Sequence, residues 1–279
     1  MMPTSLLTVI VDEQTFAPPM RGLCAGYERG RWRCEQFAEY LMEWLLDFVF
    51  PDDELDRINS SSARAAMRRA AQQLYQTDKY LRRGEFGELL LHALLRQQFH
   101  SVPAIRKIYF KDSPNDTVKG FDAVHVVAHD ESLELWLGEV KFYADLGDAI
   151  RAVTTELSEH SATDYLRTEF AVILNRLGPG FPHADRLRSL LSPTTSLDTV
   201  FTALRIPVLL TYDSDTTARH ASMSQDYMHD LEEELRAAHR QFAGGQLPVD
   251  VALYLILIPL ATKEALIRAL HSKLEGLQR

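Results

Sequence analysis

Cysteine is scarce in this chain: Cys24 and Cys34 are the only two in 279 residues, and they form no Cys-x-x-Cys pair. Neither a disulfide framework nor a zinc ribbon is expected, and a reducing cytoplasm suits the composition. Long apolar runs are missing as well. The most apolar stretch, 249–260, contains Asp250 and Pro259, so no membrane span is predicted. The N-terminus lacks a basic region and meets acid at Asp12, and does not read as a signal peptide. There is no Gly-x-x-x-x-Gly-Lys-Ser/Thr loop, so the chain is not expected to use ATP itself. No Gly-x-Ser-x-Gly elbow points to a serine hydrolase. The ten histidines are scattered with no Cys–His spacing, which argues against a zinc hydrolase. Internal repeats and low-complexity linkers are also absent.

What remains is an ordinary globular balance, 46% hydrophobic and 25% charged, in a chain long enough for one large core with an appendage. The net charge of −9 argues against a free-standing, high-affinity nucleic-acid binder. Its distribution is uneven. Residues 64–119 hold eleven Lys/Arg against five Asp/Glu, a local balance of +6, which leaves −15 for the rest. Such a block fits nucleic-acid contact and a solvated helix face equally well.

Hydrophobic periodicity predicts a strand at 6–11, a loop through Pro18-Pro19, and an amphipathic helix over 32–50 carrying Phe37, Leu41, Trp44, Leu45 and Phe48. Two helical pieces follow, one capped by Ser62 and reaching Tyr80, the other from Gly84 through Leu95. The period then changes. Strands are expected at 105–110, 121–128 and 133–142, the last two joined as a hairpin through 129–132. A helix is predicted from Asp145 to Glu159, strands at 169–174 and 206–212, and a loop or helix cap at 190–197. The remainder reads as a helix at 223–242 closed by Gly244-Gly245, a strand at 251–258, and a helix over 262–277 capped by Thr262. The alternation predicts an α/β fold. Residues 1–60 read as an N-terminal accessory region and 61–279 as the main domain with a helix-strand-helix extension, together forming one unit.

The chemistry concentrates in Gly120-Phe121-Asp122 and Gly138-Glu139-Val140-Lys141. Side chains two apart on a strand face the same way. Glu139 and Lys141 therefore continue the face that begins with Leu133, Leu135 and Leu137, while Asp122, Val124 and Val126 repeat the pattern on the preceding strand. Hairpin pairing brings Asp122 near Glu139. Two carboxylates at the end of an apolar face are costly without a cation. Mg2+ or Mn2+, which take oxygen ligands, would relieve the repulsion. Gly120 and Gly138 would leave room for backbone or substrate. Taken alone, Glu-x-Lys equally describes an exposed salt bridge. Glu85 and Glu88, three apart on the preceding helix, share one face; Glu88 could reach the metal or its waters, and the helix dipole alone would also favour both acids there. His92, four after Glu88, reads as a packed or surface residue, and Phe142 and Tyr143 as strand-end packing.

The order helix-Glu, strand, strand-Asp, strand-Glu-x-Lys, helix resembles the PD-(D/E)xK nuclease superfamily, with Phe121 where proline is usual. Arg83, Gly84 and Glu88 match the Arg-Gly-x-x-x-Glu of archaeal Holliday-junction resolvases within it. By that resemblance the fold is a restriction-endonuclease-like core, a mixed β-sheet flanked by helices. Asp122 and Glu139 ligate Mg2+ or Mn2+, Lys141 positions the attacking water, and Glu88 assists and ligates. More narrowly, Arg83 to Glu88, Lys119 to Asp122 and Gly138 to Tyr143 resemble the HamA family, nuclease subunits of the Hachiman anti-phage defence system. The resemblance implies a Mg2+-dependent deoxyribonuclease that acts on DNA with a HamB-like superfamily 2 helicase, the helicase engaging DNA and licensing cleavage. The other reading is a catalytically degenerate nuclease-fold module that scaffolds a helicase or recognises DNA ends.

Overall fold

A mixed seven-stranded sheet runs through the middle of the molecule, with strand order β1-β2-β9-β8-β7-β6-β5. The computed structural model describes residues 2–74, 84–106, 120–130, 132–178, 180–248 and 250–278. In chain order it begins with β1 (Thr8–Glu13), β2 (Met20–Cys24) and a small ribbon of β3 (Tyr27–Glu28) and β4 (Arg31–Trp32). Helices α1 (Cys34–Glu43), α2 (Leu45–Val49), α3 (Asp52–Leu55), α4 (Ala63–Leu74) and α5 (Glu85–Phe99) follow. Next come β5 (Val102–Ile105), β6 (Ala123–Ala128) and β7 (Leu133–Phe142). Helices α6 (Leu146–His160), α7 (Thr163–Arg176), α8 (Ala184–Leu190) and α9 (Leu197–Ala203) cross to β8 (Leu204–Asp213). Helices α10 (Asp215–Arg219) and α11 (Gln225–Ala243) lead to β9 (Ala252–Leu260), and α12 (Lys263–Gln278) ends the described chain. No helix among the described residues is long and apolar enough to cross a membrane.

Strands β5, β6 and β7 are antiparallel neighbours, whereas β7, β8, β9 and β2 run parallel. Parallel strands need long crossovers and a helical cover on both faces, and the sequence supplies both. One face of the sheet carries Trp136, Val140, Phe142, Leu209, Ile256 and Ile258, and packs with α1, α2, α4, α5 and α12. The other carries Leu135, Leu137, Val208, Leu210, Leu255 and Leu257 against α6, α7, α8 and α11. The even positions of β7 thus face α5, and the odd ones face α6.

Most predicted elements are found close to their expected bounds, and three differ. Residues 169–174 are helical, not a strand: Leu166, Glu169, Phe170 and Ile173 form the buried stripe of α7 at helical spacing. The segment after Pro18-Pro19 is the strand β2, paired in parallel with β9 through Met20↔Leu255. The helix expected over 32–50 is interrupted at Trp44 into α1 and α2. Beyond Leu74 the first helical piece, and beyond Ile105 most of the strand expected at 105–110, lie outside the described residues, as do Arg83 and Lys119.

Candidate active site

The β6–β7 hairpin aligns Ala123 with Gly138, so Asp122 stands across from Glu139 at the strand ends. Asp122 reaches over the pair, and its Oδ2 accepts a hydrogen bond from the Val140 amide at 2.9 Å. Glu139 and Lys141 lie on the odd face of β7, beneath α6, as strand parity requires. Glu139 is 1% exposed and Lys141 8%, a degree of burial rare for charged side chains without partners.

Helix α6 provides those partners. Glu139 Oε1 and His160 Nδ1 are 2.6 Å apart, and the Lys141 ammonium donates to the Glu156 carboxylate. The helix starts cleanly because the Asp145 side chain accepts from the Asp148 amide. Its buried residues Ala149, Ile150, Val153 and Leu157 seat it on the sheet. The His160 ring is stacked on Tyr165 of α7, with centroids 4.3 Å apart and planes inclined by 13°. Phe121 meets the imidazole edge-on at 5.1 Å. Behind this layer Glu169 is buried; a Cβ on Gly120, whose φ is +125°, would come within 2.6 Å of its carboxylate.

These contacts set the charge states. Burial pushes the Glu139 carboxyl up, Asp122 adds to the push, and the His160 bond and Lys141 oppose it, leaving a value of about 7. His160 is raised as well: burial lowers it, but the Glu139 bond and the charges of Glu139, Glu156 and Asp122 outweigh burial. The two shifts agree in meaning, since one proton held across the short contact is retained to higher pH than either group would manage alone. Lys141 is raised despite burial by Glu156, Asp122 and Glu139. The Tyr165 hydroxyl is raised first by burial and then by Glu169, Glu139, Asp122 and Glu156. Four carboxylates therefore surround this corner against one lysine and one histidine.

Asp122 and Glu139 are the oxygen donors that could hold a hard divalent cation. The raised Glu139 carboxyl fits such a group, because a cation would relieve the penalty that burial and Asp122 impose. Among the described residues no three His, Cys, Asp or Glu side chains form a ligand set. Glu88 occupies the first turn of α5 and is half-buried. That helix covers the opposite face of the sheet: a Cβ on Gly87 would meet Val140 and Phe142, and one on Gly138 would meet Leu91 and Ala123. The room at Gly138 is thus taken by α5, and that at Gly120 by Glu169, rather than left for substrate.

Sequence reasoning missed Glu156, His160, Tyr165 and Glu169. Glu156 and His160 had a findable signal, because residues four apart on a helix share a face and the observed helix runs one residue past its expected end at Glu159. Phe142 is packed as expected, but Tyr143 is 37% exposed. His92 is buried against His125 and Asp47 on the α5 side of the sheet. His125 and His129 stand four apart, but His125 is buried while His129 is exposed beyond the strand end. The local basic block is also less available than its charge suggests. Arg96 and Arg106 turn inward to bind Asp47, and Arg106 also binds Asp52.

No curated protein matches the chain. The family model of HamA matches residues 4–274, spanning both helical layers and every strand of the sheet. The chain belongs to the HamA family, which is associated with Hachiman antiviral defence.

Proposed function

We propose that the chain is a divalent-metal-dependent DNA nuclease of the PD-(D/E)xK type, the cutting subunit of a defence complex with a superfamily 2 helicase. The observation that carries this reading is the convergence of Asp122, Glu139 and Lys141 at one end of the β6–β7 hairpin. Their setting supports it. The element order α5-β5-β6-β7-α6 follows the helix, three strands and helix on which the resemblance rests.

In this reading Asp122 and Glu139 would hold Mg2+ or Mn2+; Glu88, on the helix that covers the opposite face of the sheet, forms no three-residue ligand set with them. The bound ion would supply charge to the phosphate and acidify a water. Lys141 keeps its proton because three carboxylates surround it. It can therefore orient the attacking water and neutralise charge that builds on phosphate oxygens as the P–O bond breaks. The acidic surface leaves the grip on DNA phosphates to the helicase partner.

A second reading, a nuclease-fold module without catalysis, is favoured by the lack of a third metal-ligating side chain among the described residues. Plasmid cleavage by the full chain with its helicase, ATP and Mg2+ tests the first. Lys141→Ala should lower the rate by roughly 10²–10³-fold, the usual cost of one charge-stabilising group, and Glu139→Ala should abolish cleavage. Undiminished plasmid degradation by either variant would sink the mechanism.

A further inference from the structure

We propose that Glu156 and His160 of α6 are positioning residues for the site, a helical pair that fixes the side chains of Lys141 and Glu139; the proposal rests on the metal-dependent reading above. The match is one of spacing. Four residues on a helix advance about 6 Å, and two on a strand advance about 6.6 Å. A helix lying back along a strand can therefore set an i, i+4 pair against an i, i+2 pair. Helix α6 does so in antiparallel sense: Glu156, earlier in the helix, meets Lys141, later in the strand, and His160 meets Glu139. Each member of the Glu-x-Lys pair thus has its own holder on one helix face.

The imidazole is itself held. Tyr165 lies flat against one face, 4.3 Å away, and Phe121 approaches from the side. Phe121 immediately precedes Asp122, so the ring that fixes His160 is tied by one peptide to the other carboxylate. His160 engages Glu139 through Oε1, which sets the plane of the carboxylate and the direction of Oε2. Carboxylates that bind metal are commonly oriented by such outer hydrogen bonds, and losing one costs typically 10–100-fold in metal affinity. Glu156 performs the same service for the ammonium, keeping Lys141 extended along the strand end rather than free to turn to solvent.

The test is Mn2+ binding to the full chain, read from the paramagnetic resonance of free Mn2+, with melting temperatures measured alongside. Glu139→Gln should abolish binding. His160→Ala should weaken it by roughly 10–100-fold with little change in melting temperature. His160→Asn should recover part of the loss, because its Nδ2 can donate where the imidazole Nδ1 does. Glu156→Gln should leave Mn2+ affinity close to wild type but make Lys141 react faster with an acylating reagent, followed by mass spectrometry. Wild-type Mn2+ affinity in His160→Ala, with binding lost in Glu139→Gln, would overturn the role of His160 alone. Equal losses in His160→Ala and His160→Asn would make the contact merely structural. An unchanged Lys141 reaction rate would remove Glu156 from the proposal. Mn2+ binding retained by Glu139→Gln would overturn the metal reading and this inference with it.

Discussion

On the face of the sheet away from Glu139, a second polar group is sealed in. His92 and His125 join through Nδ1 and Nε2 at 3.3 Å, His92 continues to Asp47 at 3.1 Å, and Ser101 meets His125 at 2.8 Å. Burial lowers both imidazoles; the charges of Arg96 and Arg106 add to that, and Asp47 opposes it. Burial raises Asp47, but the His92 bond and the charges of His92, Arg96 and Arg106 outweigh it and hold the carboxyl well below its ordinary range. A histidine lowered in the fold stabilises fully above its unfolded value near 6.5 and loses that contribution as pH falls below it. Between pH 7.5 and pH 5.5 the pair should therefore subtract from stability as pH falls, against Glu139 and His160, whose raised values add stability over the same range. His125→Asn, which can still meet Ser101 but cannot titrate, should raise the melting temperature relative to wild type more at pH 5.5 than at pH 7.5; the same difference at both pH values would show that His125 does not carry this part of the pH dependence. Asp122, Glu139 and Lys141 were legible because strand parity and hairpin pairing are local rules. The holders of Glu139 and Lys141 were not, because which strand positions face a helix depends on how α6 seats on the sheet.

Helix α5 comes so close to β7 that a side chain at Gly87 would be crowded: a Cβ there would lie 3.0 Å from both Phe142 Cβ and Val140 Cγ2. Phe142 Cβ is fixed by the strand and cannot give way, so Gly87→Ala should overpack the contact and cost about 1–3 kcal/mol. Urea unfolding measures this, and stability equal to wild type would mean that the helix can lift freely. Elements governed by near neighbours were readable, among them β7, α6 with its Asp145 cap, and α12, where the Thr262 hydroxyl oxygen accepts from the Ala265 amide. Helix α7 was misread because Phe170 to Leu174 is a short apolar run, which strand and helix periods fit alike. Its identity comes from Leu166 and Phe170 packing in the core below α6. Strand β2 was hidden for another reason: it follows Pro18-Pro19, which reads as a loop, and of its two partners only β1 is near in sequence, while β9 is more than two hundred residues away.

At the scale of the whole molecule, the chain carries −9, and part of its one basic block is spent internally on Asp47 and Asp52. A carboxylate-rich corner in an acidic chain suits a subunit that supplies the cutting chemistry while a partner supplies the hold on the phosphate backbone. The fold places that corner at the junction between the antiparallel strands β5-β6-β7 and the parallel set beginning with β8. Glu139 faces α6 on one side of the sheet, and α5 covers the other. The proposed activity stands or falls on whether this corner takes up a cation. Calorimetric titration of the full chain with Mg2+ and Mn2+, repeated on Asp122→Ala with its fold checked by melting temperature, decides it. Saturable binding in the wild type that vanishes in Asp122→Ala is the predicted result. No binding of either ion by the wild type, alone or assembled with the proposed helicase, would contradict it and leave a nuclease-like module without catalysis.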